Sequence, residues 1–148
     1  MSPRALIPKA TVKVGQSSVG VNPCSRDTQR CGGVFMHTIN AATGALTSMG
    51  TIAAGSFPSS IAIETSGKFA YVANSVSNDI SMYSIDAATG VLTPLVPGTI
   101  AAGLSPTSIA IEPSGKFAYV ANSGSNDVSM YNIDPASGAL TLIGTIGI

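Results

Sequence analysis

Beyond about residue 34 the chain alternates short apolar runs with tight polar punctuation, and the spacing has the period of strands. Four runs stand out in one stretch: Ser60 to Ile63, Lys68 to Asn74, Asp79 to Asp86 and Val91 to Leu95. They are rich in Ile, Val, Tyr, Phe and Ser and offer no i, i+3, i+4, i+7 stripe, so strands rather than helices are predicted. In the second run Phe69, Tyr71 and Ala73 share one face, while Ala70 and Val72 share the other. Both faces are apolar, so the sheet must be covered on both sides.

The runs recur. "PSSIAIETSGKFAYVANSVSNDISMYSIDAATGVLT" begins at Pro58 and "PTSIAIEPSGKFAYVANSGSNDVSMYNIDPASGALT" begins at Pro106, an offset of 48 with 28 of 36 aligned positions identical. A partial third copy, "VFMHTINAATGALTSMGTIAAG" from Val34, aligns with the stretch from Ile80 at an offset of 46, the difference being extra residues around Val96 and Pro97. Upstream the match fades to "VGVN" at Val19 to Asn22. The punctuation suits short hairpins: "ETSGK" and "EPSGK" place Gly67 and Gly115, and "NAATG", "DAATG" and "DPASG" place Gly44, Gly90 and Gly138, where a left-handed residue is wanted.

An all-β fold follows, built of propeller blades of four antiparallel strands, with about three blades in the chain. A β-sandwich or an open β-stack remains the alternative. The expected divisions are residues 1–33 as an irregular N-terminal segment or degenerate first blade, 34–57 as the end of the first blade, 58–105 as the second and 106–148 as the third.

At this point the residues carry a resemblance. Tyr71-Val72-Ala73-Asn74 and Tyr119-Val120-Ala121-Asn122, within "SIAIEPSGKFAYVANSGSNDVSMYNIDPASGALT" and its twin, resemble the repeat of the lactonase-like, YVTN-type β-propellers. The resemblance implies a ring of about seven blades, whose members include lactone hydrolases of the 6-phosphogluconolactonase-like kind and non-enzymatic surface and binding proteins. Three blades leave the outer faces of both end blades bare, which a soluble monomer rarely tolerates. The expectation is therefore a homo-oligomer, a dimer or larger, or the remaining blades of a longer chain.

Composition narrows the chemistry. Apolar residues make up 45% and charged residues 9%, and seven basic side chains balance seven acidic ones, so no positive field recruits nucleic acid or an anionic membrane. No apolar run is long enough for a membrane span. The expected setting leans extracellular or periplasmic, although the sequence as given carries no export signal. Cys24 and Cys31 could close a small disulfide loop in an oxidising compartment or stay two thiols in a reducing one.

Two loops and two links should open on one face of the ring: "NSVSND", "NSGSND", "AAGSFPS" and "AAGLSPT". Asn74, Asn78, Asp79, Asn122, Asn126 and Asp127 would then form a repeated polar rim able to bind a small polar or sugar ligand, or else bond their own backbone and fix tight turns. The second reading is preferred. Glu64 and Glu112, one per blade beside a turn, are expected in solvent near Lys68 or Lys116. His37, the only histidine, aligns with Tyr83 and Tyr131 and is expected to pack rather than catalyse. No metal site and no cofactor are expected, since Cys24, Cys31 and His37 are too few for a closed zinc site and "SGKF" is no phosphate loop.

The resemblance implies hydrolases that line a central channel with basic and acidic side chains. The two full repeats here carry no arginine and no histidine, all three arginines (Arg4, Arg26 and Arg30) lying before them. No catalytic residue is carried over. The expected function is a non-catalytic propeller module acting in binding or assembly, the alternative being a lactone hydrolase whose site other blades or a partner chain complete.

Overall fold

The structure is a computed structural model that describes the backbone of residues 11–14 and 17–22 and the whole of residues 33–148. Every regular element among the described residues is a strand. Among the described residues twelve strands form three sheets, each with its strands in chain order and antiparallel. The first holds β1 (Thr11–Val14), β2 (Ser17–Asn22), β3 (Gly33–Ile39) and β4 (Leu46–Ala53). The second holds β5 (Pro58–Ile63), β6 (Phe69–Asn74), β7 (Asp79–Ile85) and β8 (Leu92–Ala101). The third holds β9 (Pro106–Ile111), β10 (Phe117–Asn122), β11 (Asp127–Ile133) and β12 (Leu140–Gly147).

Short connections dictate that meander. In the first hairpin of the second and third sheets, Gly67 and Gly115 donate to the carbonyls of Glu64 and Glu112, each at 2.8 Å. Between β7 and β8 and between β11 and β12, Gly90 and Gly138 stand at φ +77° and +75° and donate to the carbonyls of Asp86 (2.7 Å) and Asp134 (2.8 Å). The loop between the second and third strands uses asparagine instead, Asn78 at φ +58° and Asn126 at +55°. The outer strand runs further than its hydrophobic run suggests. β8 continues from Leu95 to Ala101 because a bulge between the Ser81–Thr99 and Tyr83–Pro94 pairs absorbs Pro97 and Gly98, residues that break the alternation in the sequence.

The sheets stack face to face. β5 packs against β9, β6 against β9, and β1 and β2 against β5, so the first strands gather at one side, the axis of the partial propeller. Two apolar clusters fill the two boundaries. Val34 and Met36 of the first sheet meet Ala70, Val72, Tyr83, Ile85 and Leu92 of the second. Phe69, Tyr71, Ala73, Ile80 and Met82 of the second meet Ala118, Val120, Tyr131, Ile133 and Leu140 of the third. The middle sheet is thus apolar on both faces because both are covered: all six residues of β6 are buried, whereas in β10, identical in sequence, burial alternates.

Hydrogen bonds tie the boundaries at the same places. The Tyr83 hydroxyl donates to the Ala53 carbonyl at 2.5 Å and the Tyr131 hydroxyl to the Ala101 carbonyl at 2.8 Å, each reaching the last residue of the preceding outer strand. Burial pushes the Tyr83 and Tyr131 phenols up from their ordinary value.

The turns before the outer strands carry a pH-dependent element. The Asp86 carboxylate accepts from the amides of Thr89 (2.9 Å) and Ala88 (2.8 Å), and Asp134 accepts from those of Ser137 (3.0 Å) and Ala136 (2.8 Å). Those amides favour the charged form and hold both carboxyls below the usual range. The folded values lie below the unfolded ones, so this contribution is complete above about pH 4 and is lost as pH falls through the folded values. The first sheet has Asn40 at this position, accepting from Ala42 (2.9 Å) and Thr43 (3.1 Å) without titrating. The double substitution Asp86→Asn/Asp134→Asn should therefore flatten the acid limb of the melting temperature against pH while changing little near neutrality. An acid limb as steep as the parent's would contradict the assignment.

Candidate functional site

The rim residues sit where β6 turns into β7 and β10 into β11. Register places Asn74 opposite Asp79 and Asn122 opposite Asp127. The Asn74 amide donates to the Asp79 carboxylate (2.8 Å) and to the Ser81 hydroxyl (2.9 Å), and Ser77 donates to the same carboxylate at 2.9 Å. The third sheet repeats the network, with Asn122 on Asp127 (2.7 Å) and Ser129 (2.9 Å) and Ser125 on Asp127 (3.0 Å). A carboxylate cannot donate, so each amide must present its nitrogen to the aspartate. The amide oxygens of Asn74 and Asn122 are left buried without a protein partner.

The links lock over these loops. Ser75 and Val76 donate backbone amides to Phe57 (2.9 Å) and Ser56 (3.1 Å), and Ser123 and Gly124 do the same to Ser105 (3.0 Å) and Leu104 (2.9 Å). Asn78 reaches forward instead, its carbonyl accepting from Ala102 (3.0 Å) and its side-chain oxygen from Ser105 (2.8 Å). Asn74, Asp79, Asn122 and Asp127 thus form two clusters, one in each of the second and third blades, joined through Asn78, while Asn126 is exposed and its backbone carbonyl accepts from Ile148 at 3.1 Å. Gly55 and Gly103 permit the fit: a Cβ on either would come within 2.6 Å of the Asn74 or Asn122 amide. No motif in the sequence marks these glycines or Ser77, Ser81, Ser125 and Ser129. Their recurrence at the same place in both copies is the signal that marks them.

On the opposite face Glu64 departs from the expectation and Glu112, which is not buried, does not. Glu64 is buried, not in solvent, and its carboxylate turns back on its own hairpin, accepting from the Ser66 amide (2.6 Å), the Thr65 hydroxyl (3.1 Å) and the Ser66 hydroxyl. The third sheet's turn covers it, since a Cβ on Gly115 would lie 2.4 Å from the Thr65 hydroxyl oxygen. Glu112 caps its own turn in the same way, through the amide of Ser114 (2.6 Å) and its hydroxyl. Between these turns lies a cleft of about 330 Å³, flanked by Lys68, Lys116, Ser66 and Ser114.

His37 is half-buried on β3, its ring 6.3 Å from that of Phe35. It packs, as its tyrosine counterparts do, but those also donate hydrogen bonds across a blade boundary. Cys24, Cys31 and the three arginines lie outside the described residues. Among the described residues no three of His, Cys, Asp and Glu gather as metal ligands. Of the first strands, β5 and β9 read Pro-Ser-Ser-Ile-Ala-Ile and Pro-Thr-Ser-Ile-Ala-Ile and hold no titratable side chain, whereas the β1 sequence, Thr-Val-Lys-Val, includes Lys13.

Residues 33–147 match a family model described as lactonase, 7-bladed beta-propeller. Among solved structures the chain is similar to a candidate 6-phosphogluconolactonase from Bacteroides fragilis, at 24% identity and a TM-score of 0.84, over 95% of this chain and 39% of that one. It is similar to a protein from Lactobacillus plantarum at 23% identity and a TM-score of 0.84, over 95% and 41%. It is also similar to the periplasmic gluconolactonase of Pseudomonas aeruginosa at 19% identity and a TM-score of 0.83, over 99% and 41%. At such identities the likeness is one of fold, and the chain spans about two-fifths of the length of these structures. No curated protein matches the chain.

Proposed function

The chain belongs to the lactonase family of seven-bladed β-propellers, and from that premise we propose that it is a non-catalytic run of blades that acts in binding or assembly. One observation carries the reading: β5 and β9, the innermost strands of the second and third sheets, bring no acid, base or cation to the place where a propeller would do chemistry. The polar side chains elsewhere support it. The Asn74 and Asn122 amide nitrogens, the Asn78 side-chain oxygen and the Asp79 and Asp127 carboxylates are engaged within their blades and links, and Glu64 and Glu112 cap their own turns. A general base or a lactone-binding cation has to be free to meet substrate.

Lactone hydrolysis is the second reading, favoured by the family match and by the names of the structural neighbours. It requires channel-facing groups from residues before Gly33 or from other blades. The test is proton release at constant pH from gluconolactone and from 6-phosphogluconolactone, with and without the chain. The expected rate is the spontaneous one. An acceleration proportional to protein concentration overturns the non-catalytic reading, and its loss in Arg26→Ala or Arg30→Ala traces the chemistry to the N-terminal stretch.

A further inference from the structure

The boundary between the second and third blades is described in full on both sides, from β5 to β12. On the face that carries the β5–β6 and β9–β10 turns it opens into the cleft of about 330 Å³. That volume is at the low end of the range for sites that take small molecules.

The repeat brings two cations to this cleft. Lys68 immediately precedes β6 and Lys116 immediately precedes β10, so stacking the blades sets two copies of one turn side by side. Both lysines are exposed, and neither forms an ion pair among the described residues. The glutamates of the same turns are already spent, Glu64 on Ser66 and Thr65 and Glu112 on Ser114. The Ser66 and Ser114 hydroxyls donate to those carboxylates and accept from the backbone amides of Lys68 (3.4 Å) and Lys116 (3.3 Å). Of the side chains that line the cleft, only the two ammonium groups keep donors to offer. Two ammoniums against the one carboxylate of Glu64 leave the lining with a single net positive charge. Buried Ile133 and Pro135 make the rest of the wall apolar. Two like charges on one cleft raise the local potential, and a bound anion lowers it.

We propose that this cleft binds a small organic carboxylate. Its oxygens accept from the Lys68 and Lys116 ammonium groups, and its apolar part lies against Ile133 and Pro135. One negative charge matches the net charge of the lining, and an acceptor-only head group matches a wall whose free polar atoms are all donors. The site is independent of the non-catalytic reading. No bond is made or broken in it, and it binds whether or not a ring containing these blades hydrolyses a lactone.

The test is a titration of the isotope-labelled chain with sodium benzoate, followed through its backbone amide resonances, with sodium acetate and sodium chloride at matched ionic strength as comparisons. Benzoate should move the resonances of the Ser66–Lys68 and Ser114–Lys116 turns along one common saturation curve. Acetate lacks the apolar part and should need at least about tenfold more to saturate, and chloride should not saturate. Lys68→Gln and Lys116→Gln, both at exposed positions, should keep the parent's circular dichroism and each raise the benzoate midpoint at least about tenfold. Failure of benzoate to saturate, chloride or acetate acting as well as benzoate, or a midpoint unchanged in either variant would each overturn the proposal. So would different midpoints for the two turns, which would mean two separate surface lysines rather than one site.

Discussion

Truncating Tyr71 to alanine is expected to destabilise the chain by about 3 to 5 kcal/mol, the range for losing a large buried aromatic. The same truncation at Tyr119, in an identical Phe-Ala-Tyr-Val-Ala-Asn strand, should cost the unassociated chain no more than about 1 kcal/mol. The two side chains differ only in what lies against them. Tyr71 is wholly buried between the second and third blades with its hydroxyl on the Gly138 carbonyl. Tyr71→Ala therefore loses ring contacts, opens a cavity and removes that carbonyl's partner. Tyr119 faces solvent with more than a third of its surface. Urea unfolding at low protein concentration measures both, as a large and a small shift in midpoint at similar slope. Equal shifts would mean that blade stacking is not what buries the second strand.

Gly138→Ala should cost about 2 to 4 kcal/mol, and Gly44→Ala about 1 kcal/mol, although both glycines stand at φ near +75° in homologous turns. The left-handed backbone penalises a Cβ at either site. Only at Gly138 does the Cβ also meet a wall, the Phe69 ring, which would have to leave its buried position. The excess at Gly138 is thus a packing cost, and Phe69→Ala should remove it. On that background Gly138→Ala falls to the cost seen at Gly44, a coupling that a double-mutant cycle reads directly. If the two glycines respond alike with Phe69 present, the aromatic ring does not press on the turn as described.

These contrasts show what could be read from the sequence and what could not. The blades were legible because the copies match at 28 of 36 positions and because apolar residues on both faces of Lys68 to Asn74 demand cover on both sides. Pairing of Asn74 with Asp79 was within reach, since a tight loop sets them opposite each other. The orientation of Glu64 was not. Its burial depends on Gly115, 51 residues away in the next blade, folding over it. The outer strand was read short because Pro94, Pro97 and Gly98 interrupt the alternation, and only the bulge shows how pairing resumes at Thr99. Gly55 and Gly103 are not legible as site residues, because a glycine in a link has no side chain to mark the close approach of the loop beneath it. Least legible was the difference between Tyr71 and Tyr119, because identical local sequence says nothing of what packs against each face.

That difference also supplies the most direct measurement: nitration of the tyrosines of the folded chain, located by peptide mass. Tyr71, Tyr83 and Tyr131 are buried at the boundaries between sheets, and Tyr119 is 38% exposed. Tyr119 should be modified first, the other three only once the chain is unfolded. Modification of Tyr71 as fast as Tyr119 in the folded chain would contradict the stacking of the blades.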